Sequence, residues 1–236
     1  METDTNFERK PNAFLPLSED ERKCLAEMQS PPRTLKRGQQ LTEEGQTGQH
    51  AFVLLVGWAC SYKDLPNGSR QIISFPVSGD VVGLRSMLLR TADHSFSTLT
   101  EATVSLVNAQ HVLRCIHEYP RLGAALLWSA SRDEAMVVEH LVNIGRRSAV
   151  ERTAHLFLEF AERLLLIGEA TASGFYCPLS QPVLGDALGL TPIHVNRILR
   201  RLREQGLMTL HDSWVQIHDY PEMKRLSGFQ GGYLEI

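Results

Sequence analysis

The chain is poor in cysteine, with four in 236 residues, at positions 24, 60, 115 and 177, and none in Cys-x-x-Cys spacing. That excludes the common thiolate zinc sites and a small disulfide-stapled domain, so reduced thiols are expected. It also lacks any apolar run of the roughly 18 residues that would span a bilayer. Its acidic start, METDTNFERK, lacks the basic-then-apolar order of a signal peptide. A cytoplasmic protein without a membrane partner is expected. No His-x-His pair occurs, which argues against a cupin metal site, and there is no Walker-type phosphate loop, nucleophile elbow or HExxH helix. An enzyme is therefore not expected, and no residue set calls for a metal or a cofactor. What is present is 43% apolar content, enough over this length for a sizeable core and two domains, with a net charge of only −3.

One short stretch forms a local basic stripe, with four arginines within seven residues. From Leu179 to Met208 the chain reads as two short helices joined by a tight turn. Ser180 is positioned to cap the first, whose Val183, Leu184, Ala187 and Leu188 recur at helical spacing. Gly189 ends it and Leu190 plugs the space between the helices. Thr191 caps the second helix, with Pro192 at its first position, where a missing N–H costs nothing. Val195, Ile198, Leu199 and Leu202 then face the core, leaving His194, Asn196, Arg197, Arg200, Arg201 and Arg203 outward. Such a face suits a DNA major groove. Arg197 can pair with guanine N7 and O6, Asn196 with an adenine edge and His194 with an acceptor, while the later arginines are placed for phosphates. Ser180 and Thr191 complete the set of candidate DNA-binding residues. A mildly acidic whole does not oppose this, because the local basic stripe is what DNA meets.

These residues resemble the helix-turn-helix of the CRP/FNR transcription regulators, and the resemblance extends over nearly the whole chain. It implies an α+β fold with an N-terminal antiparallel, jelly-roll-like β-roll, a long dimerisation helix and a C-terminal winged helix-turn-helix. The residues supply a counterpart for each part. A leading helix begins at Ser18, with Glu21 completing a capping box and Leu17, Cys24, Leu25 and Met28 as its apolar contacts; Pro31 and Pro32 stop it. Short strands follow from Thr34 to about Ala109, punctuated by Gly45, Gly57, Gly68, Gly79 and Gly83 and by the turn Pro66-Asn67-Gly68.

The resemblance also exposes departures. Cyclic-AMP-binding members follow GD-x-x-G with a glutamate for the ribose and later an arginine-serine pair for the phosphate. Here the motif is Gly79 to Gly83, the glutamate position is Leu84, and the Arg-Ser pair is His94-Ser95. Leucine accepts no hydrogen bond and histidine offers no guanidinium fork. Val137 and Val138 are apolar where a cyclic-AMP binder has hydroxyls, so control by cyclic AMP is not expected. The oxygen-sensing members hold a 4Fe-4S cluster through several N-terminal cysteines, whereas only Cys24 precedes Cys60 here. His50, His94, His111 and His117 read as surface or hydrogen-bonded histidines rather than haem ligands. Cys177, just before the first helix of the pair, is a candidate redox residue and otherwise an ordinary apolar one. The reading helix departs too, with Ile193 in place of the family's glutamate and Asn196 before Arg197, so the DNA half-site is expected to differ.

Glu118 to Arg147 reads as one long helix in which Leu127, Ala130, Glu134, Val137, Leu141 and Ile144 form a coiled-coil-like seam for a homodimer. Leu126, Met136 and Val138 offer a second face. A two-fold dimer sets its reading helices about 34 Å apart, which predicts an inverted-repeat site. Gly145 interrupts the helix, and Ile144 to Ser148 is the expected hinge. The domains are thus expected at 1–117 for the roll, 118–147 for the dimerisation helix and hinge, and 148–236 for the DNA-binding part. A scaffold helix carries Ala154, Leu156, Phe157, Phe160, Leu164 and Leu165 inward and ends at Gly168. A two-stranded wing turns at His211-Asp212-Ser213, and the glycine-rich tail SGFQGGYLEI is expected to be loose. RNA polymerase is a partner if the protein activates, and an unidentified small molecule is a possible effector. The alternative is an effector-binding module whose helix-turn-helix serves protein contacts.

Overall fold

The computed structural model describes residues 5–47, 50–84, 87 and 89–234, so the first four residues of the acidic start and the last two of the tail lie outside it. The chain divides into two compact units. One comprises Phe75–Glu134 and the residues before Asp64; the other comprises Asp64–Ser74 and the residues after Glu134.

The first unit opens with two helices, α1 (Asn6–Phe14) and α2 (Glu19–Glu27), each started by a capping box, Thr5 with Glu8 and Ser18 with Glu21. The strands that follow are β1 (Arg33–Leu35), β2 (Gln40–Thr42), β3 (Ala51–Val56), β4 (Ala59–Asp64), β5 (Arg70–Ser74, which falls in the segment grouped with the second unit), β6 (Val81–Val82), β7 (Ser95–Thr98) and β8 (Ala102–Val107). They form two four-stranded sheets, with orders β1-β8-β3-β6 and β2-β7-β4-β5. Pairing is antiparallel, as in Phe52 opposite Leu106 and Ser61 opposite Phe96. The apolar run of β3 is buried on both faces, and period-two alternation explains why. Ala51 and Val53 pack with Phe7, Leu25, Met28, Val112 and Leu122 of the surrounding helices, while Phe52 and Leu54 pack with Leu35, Ala59, Ala102 and Val104 inside the roll.

The cysteine expectation is corrected here. Cys24 of α2 and Cys115 of α3 (Ala109–Glu118) are joined as a disulfide across a sequence separation of 91, a pairing that no local spacing rule detects. Cys60 and Cys177 are free and buried. The expected single helix from Glu118 is also corrected. Asn108 caps α3, which ends at Tyr119 with a non-helical backbone (φ −129°, ψ 79°), and α4 (Pro120–Arg146) starts afresh. A residue before proline is driven out of the helical region, which is why the break falls at Tyr119. At its other end α4 runs uninterrupted through Gly145, so the expected interruption there is absent. Ser148 then caps α5 (Ala149–Leu166) in a third capping box, with Glu151.

In the second unit α5 buries Ala154, Leu156, Phe157, Phe160 and Leu164, but Leu165 points to solvent and Ile167 takes the inward place. β9 (Ala170–Thr171), β10 (Gly174–Tyr176), β11 (Met208–His211) and β12 (Trp214–Ile217) form a sheet of order β11-β12-β10-β9. The expected two-stranded wing is thus the edge of a four-stranded sheet. It turns at Asp212 and Ser213, both at positive φ, the geometry that matches strand twist in a two-residue hairpin. Between β10 and β11 lie α6 (Gln181–Leu188) and α7 (Pro192–Glu204), and α8 (Tyr220–Ser227) follows β12. The tail is packed, not loose. Phe229 and Leu234 are buried, and the Tyr233 hydroxyl donates to Glu159 Oε2 over 3.1 Å.

Candidate nucleic-acid interface

α6 and α7 are set by local chemistry. Ser180 has the extended backbone of a cap, but its side chain makes no capping hydrogen bond, and the first turn is closed by Leu184 N donating to the Ser180 carbonyl over 2.9 Å. Gly189 closes α6 in the left-handed region at φ 62°. Gly185 is as important, and the sequence reading overlooked it. A Cβ there would lie 2.5 Å from the Leu190 carbonyl oxygen, so only glycine lets the turn fold back so closely. Leu190 N donates to the Gly185 carbonyl over 3.0 Å, fixing that return. Thr191 then caps α7, its hydroxyl oxygen accepting from His194 N over 3.3 Å.

α7 divides cleanly. Val195, Ile198 and Leu202 are buried and Leu199 is half-buried, while His194, Asn196, Arg197, Arg200, Arg201 and Arg203 are all exposed. Arg200 Nε donates to Glu204 Oε1 over 2.7 Å, one turn on, and that bond holds the guanidinium's pKa up. A shallow hollow beside the helix is lined by Thr191, Ile193, His194, Arg197 and Arg201 together with Val150 of α5. Thr191 and Ser180 are exposed at the two helix starts. Cys177 lies three residues before Ser180 in the sequence. It is buried, its backbone N–H donates to the Ser213 carbonyl over 2.8 Å, and burial pushes its thiol up to about 12.

The apolar stripe of α4 is solvent-facing within the chain. Leu127 and Leu141 are 69% and 71% exposed, Glu134, Val137 and Ile144 are exposed, and Ala130 is half-buried. Of the second face, Met136 is buried and Leu126 half-buried, while Val138 is exposed.

The corner Gly79-Asp80-Val81-Val82-Gly83 is occupied by the chain's own N-terminal helix. The Lys10 ammonium pairs with the Asp80 carboxylate, both well shielded from water. Gly79, at φ +83°, sits against the backbone of Asn6, whose carbonyl oxygen would lie 2.3 Å from an added Cβ. His94 is buried, with Nδ1 2.8 Å from Asp93 Oδ1 and its ring tilted against Phe96. Leu84 is half-buried.

Residues 32–119 match the family model for the cyclic nucleotide-binding domain, and residues 151–226 match the Crp-like helix-turn-helix domain. The nitrogen fixation regulation protein FixK of Bradyrhizobium diazoefficiens is 30% identical over 178 residues, covering 75% of this chain and 73% of its own. The transcriptional activator protein anr of Pseudomonas aeruginosa is 25% identical over 216 residues, 92% of this chain and 88% of that one. In fold, the solved structure of FixK2 from Bradyrhizobium japonicum superposes with a TM-score of 0.76 at 24% identity, over 85% of this chain and 98% of that one. No helix among the described residues is long and apolar enough to cross a membrane. Two family models in the expected order, and relatives that are regulators rather than enzymes, establish that the chain belongs to the CRP/FNR family of DNA-binding transcription regulators.

Proposed function

We propose that this regulator acts in the cytoplasm as a homodimer on an inverted-repeat DNA site, with a control signal other than cyclic AMP. The observation that carries the DNA part is the division of α7 into a buried apolar face and an exposed face bearing Arg197, Arg200, Arg201 and Arg203 at the end of a tightly held glycine turn. In this reading Arg197 takes a guanine, Asn196 an adenine edge and His194 an acceptor. Arg200, Arg201 and Arg203, with the Ser180 and Thr191 hydroxyls, hold phosphates. The exposed stripe from Leu127 to Ile144 is the dimer seam, since a two-fold pair of α4 helices would bury it. Residues 1–117 then act as the sensor-like roll, 118–147 as the dimerisation helix and hinge, and 148–236 as the reading part. Cys177 packs rather than reacts, because a buried thiol with a raised pKa yields little thiolate.

A cyclic nucleotide does not fit the roll's corner. Asp80 is taken by Lys10, the Gly79 backbone is covered by α1, Leu84 offers no acceptor and His94 is held by Asp93. RNA polymerase is a further partner if the protein activates transcription.

The test is to incubate the purified full chain, without added ligand, with sheared genomic DNA at near-physiological salt and sequence what it retains. Enrichment of an inverted repeat supports the reading. DNA affinity that does not fall with salt would instead favour a helix-turn-helix used for protein contacts.

A further inference from the structure

Ile193 is 68% exposed, although it is a large aliphatic residue in the first turn of α7. At about 100° per residue it lies about 160° around the helix from buried Val195, within about 40° of Arg197 and about 20° of Arg200. Asn196 and His194 sit nearer the flanks, each about 100° from Val195. The outward face is therefore centred on an isoleucine ringed by cationic and polar side chains, and a purely polar account of base reading leaves its middle unexplained.

A surface that binds through arginines and carries one aliphatic group at its centre fits a partner with many anions and one recessed apolar group. On the major-groove edges of DNA that apolar group is the C5 methyl of thymine. We infer that Ile193 reads a thymine methyl in each half-site, next to the guanine taken by Arg197. One helical turn separates the two side chains by about 6 Å along α7. That is less than two base-pair steps of about 3.4 Å each, so the thymine falls one or two base pairs from the guanine. Isoleucine suits the task because its β-branched side chain has one strongly preferred rotamer in a helix, so little freedom is lost on contact.

The inference rests on the DNA-binding reading, and its test separates the two. With the full-length protein and the enriched repeat in hand, each thymine of the half-site is replaced in turn by deoxyuridine, which removes only the methyl. One position per half-site is expected to weaken binding about fourfold, the transfer value of one buried methyl-sized group. Ile193→Ser is expected to bind thymine and uracil equally there, and Ile193→Val to keep most of the preference. An unchanged melting temperature shows that neither change disturbs the fold. Indifference of the wild type to every deoxyuridine, or a preference that survives Ile193→Ser, overturns the inference while leaving sequence-specific binding intact. Failure to enrich any sequence overturns both.

Discussion

His140 faces a hydrogen-bond acceptor from each ring nitrogen, with Nε2 3.0 Å from Glu159 Oε2 and Nδ1 2.9 Å from the Ile73 carbonyl oxygen. Only a ring protonated at both nitrogens satisfies the two. Glu159 is fully buried and also receives Arg163 Nη1 at 3.3 Å and the Tyr233 hydroxyl at 3.1 Å. Burial alone would raise its pKa, but the charge and hydrogen bond of His140, with Arg163, hold it down to about 2. Burial likewise opposes the charge on His140, and Glu159 outweighs it, so His140 is raised. His155 goes the other way. Burial first, then the Arg147 charge, lowers it to about 4 despite Glu139, whose Oε2 lies 3.3 Å from Nε2.

Glu159→Gln is therefore expected to cost about 3–5 kcal/mol in denaturant unfolding at pH 6, because it leaves a buried imidazolium and guanidinium without their counter-charge. The pH dependence has a definite sign. A raised histidine contributes fully below its unfolded value of about 6.5 and loses that contribution as pH rises through its folded value. The stability gap between wild type and His140→Gln should thus be widest near pH 6 and narrow toward pH 9. His155 has the opposite profile, contributing above about 6.5 and losing that contribution as pH falls toward 4. A gap that stays constant across this range would show that His140 carries no extra proton.

This network was invisible in the sequence for a physical reason. Ile73, His140, Glu159, Arg163 and Tyr233 share no local spacing, and a glutamate inside an apolar helix reads only as an irregularity. The same holds for Cys24 with Cys115. The helix-turn-helix was legible because its determinants, Gly189, Thr191, Pro192 and the period of Val195, Ile198 and Leu202, act within a few residues of one another. Other elements carry local signals as well. The Thr5 and Glu8 capping box announces α1, Asn108 announces α3, and Pro120 marks the true start of α4. The tail's glycines suggest looseness, whereas burial of Phe229 and Leu234 and the Tyr233 hydroxyl bond to Glu159 order it.

The two glycines of the turn are expected to respond differently. At Gly185 an added Cβ meets the Leu190 carbonyl, which is backbone and cannot swing aside. Gly185→Ala should cost about 1–3 kcal/mol by overpacking, only partly offset by about 1 kcal/mol of better helix propensity, and it should weaken DNA binding by displacing Thr191. At Gly189 there is open space and the cost is conformational alone, about 1–2 kcal/mol for a left-handed alanine. Thermal melts paired with DNA titrations check this. A Gly185→Ala protein that binds DNA like wild type would mean the turn is looser than its geometry implies.

The seam on α4 makes a prediction about assembly. Leu127, Glu134 and Leu141 recur every seven residues, as do Ala130, Val137 and Ile144, which is the spacing of a two-helix interface. Leu141→Glu places a charge at an exposed position of one chain, so the protomer should keep its fold and far-UV spectrum, yet sediment as a monomer at micromolar concentration. Its DNA affinity should drop because one half-site is engaged at a time. Val142→Glu, one residue off the seam, is the control and should remain dimeric. A dimeric Leu141→Glu protein would place the interface elsewhere.

Arg197 and Arg203 are both exposed on α7, but Arg197 lies in its N-terminal half and Arg203 in its last turn, and this separates their expected roles. The N-terminal end of a reading helix approaches base edges, while residues further along meet the backbone. Arg197→Ala should therefore cost about 1–3 kcal/mol per half-site on the selected repeat and far less on unrelated DNA, so specificity relaxes. Arg203→Ala should weaken both kinds of DNA by the same factor and reduce the slope of log affinity against log salt by about one for each phosphate left without its cation. Arg200 falls with the second group. Its bond to Glu204 joins two exposed side chains and is cheap to exchange for a phosphate. If Arg197→Ala and Arg203→Ala produced the same uniform loss, α7 would be holding the backbone along its whole length and sequence would be read by other residues.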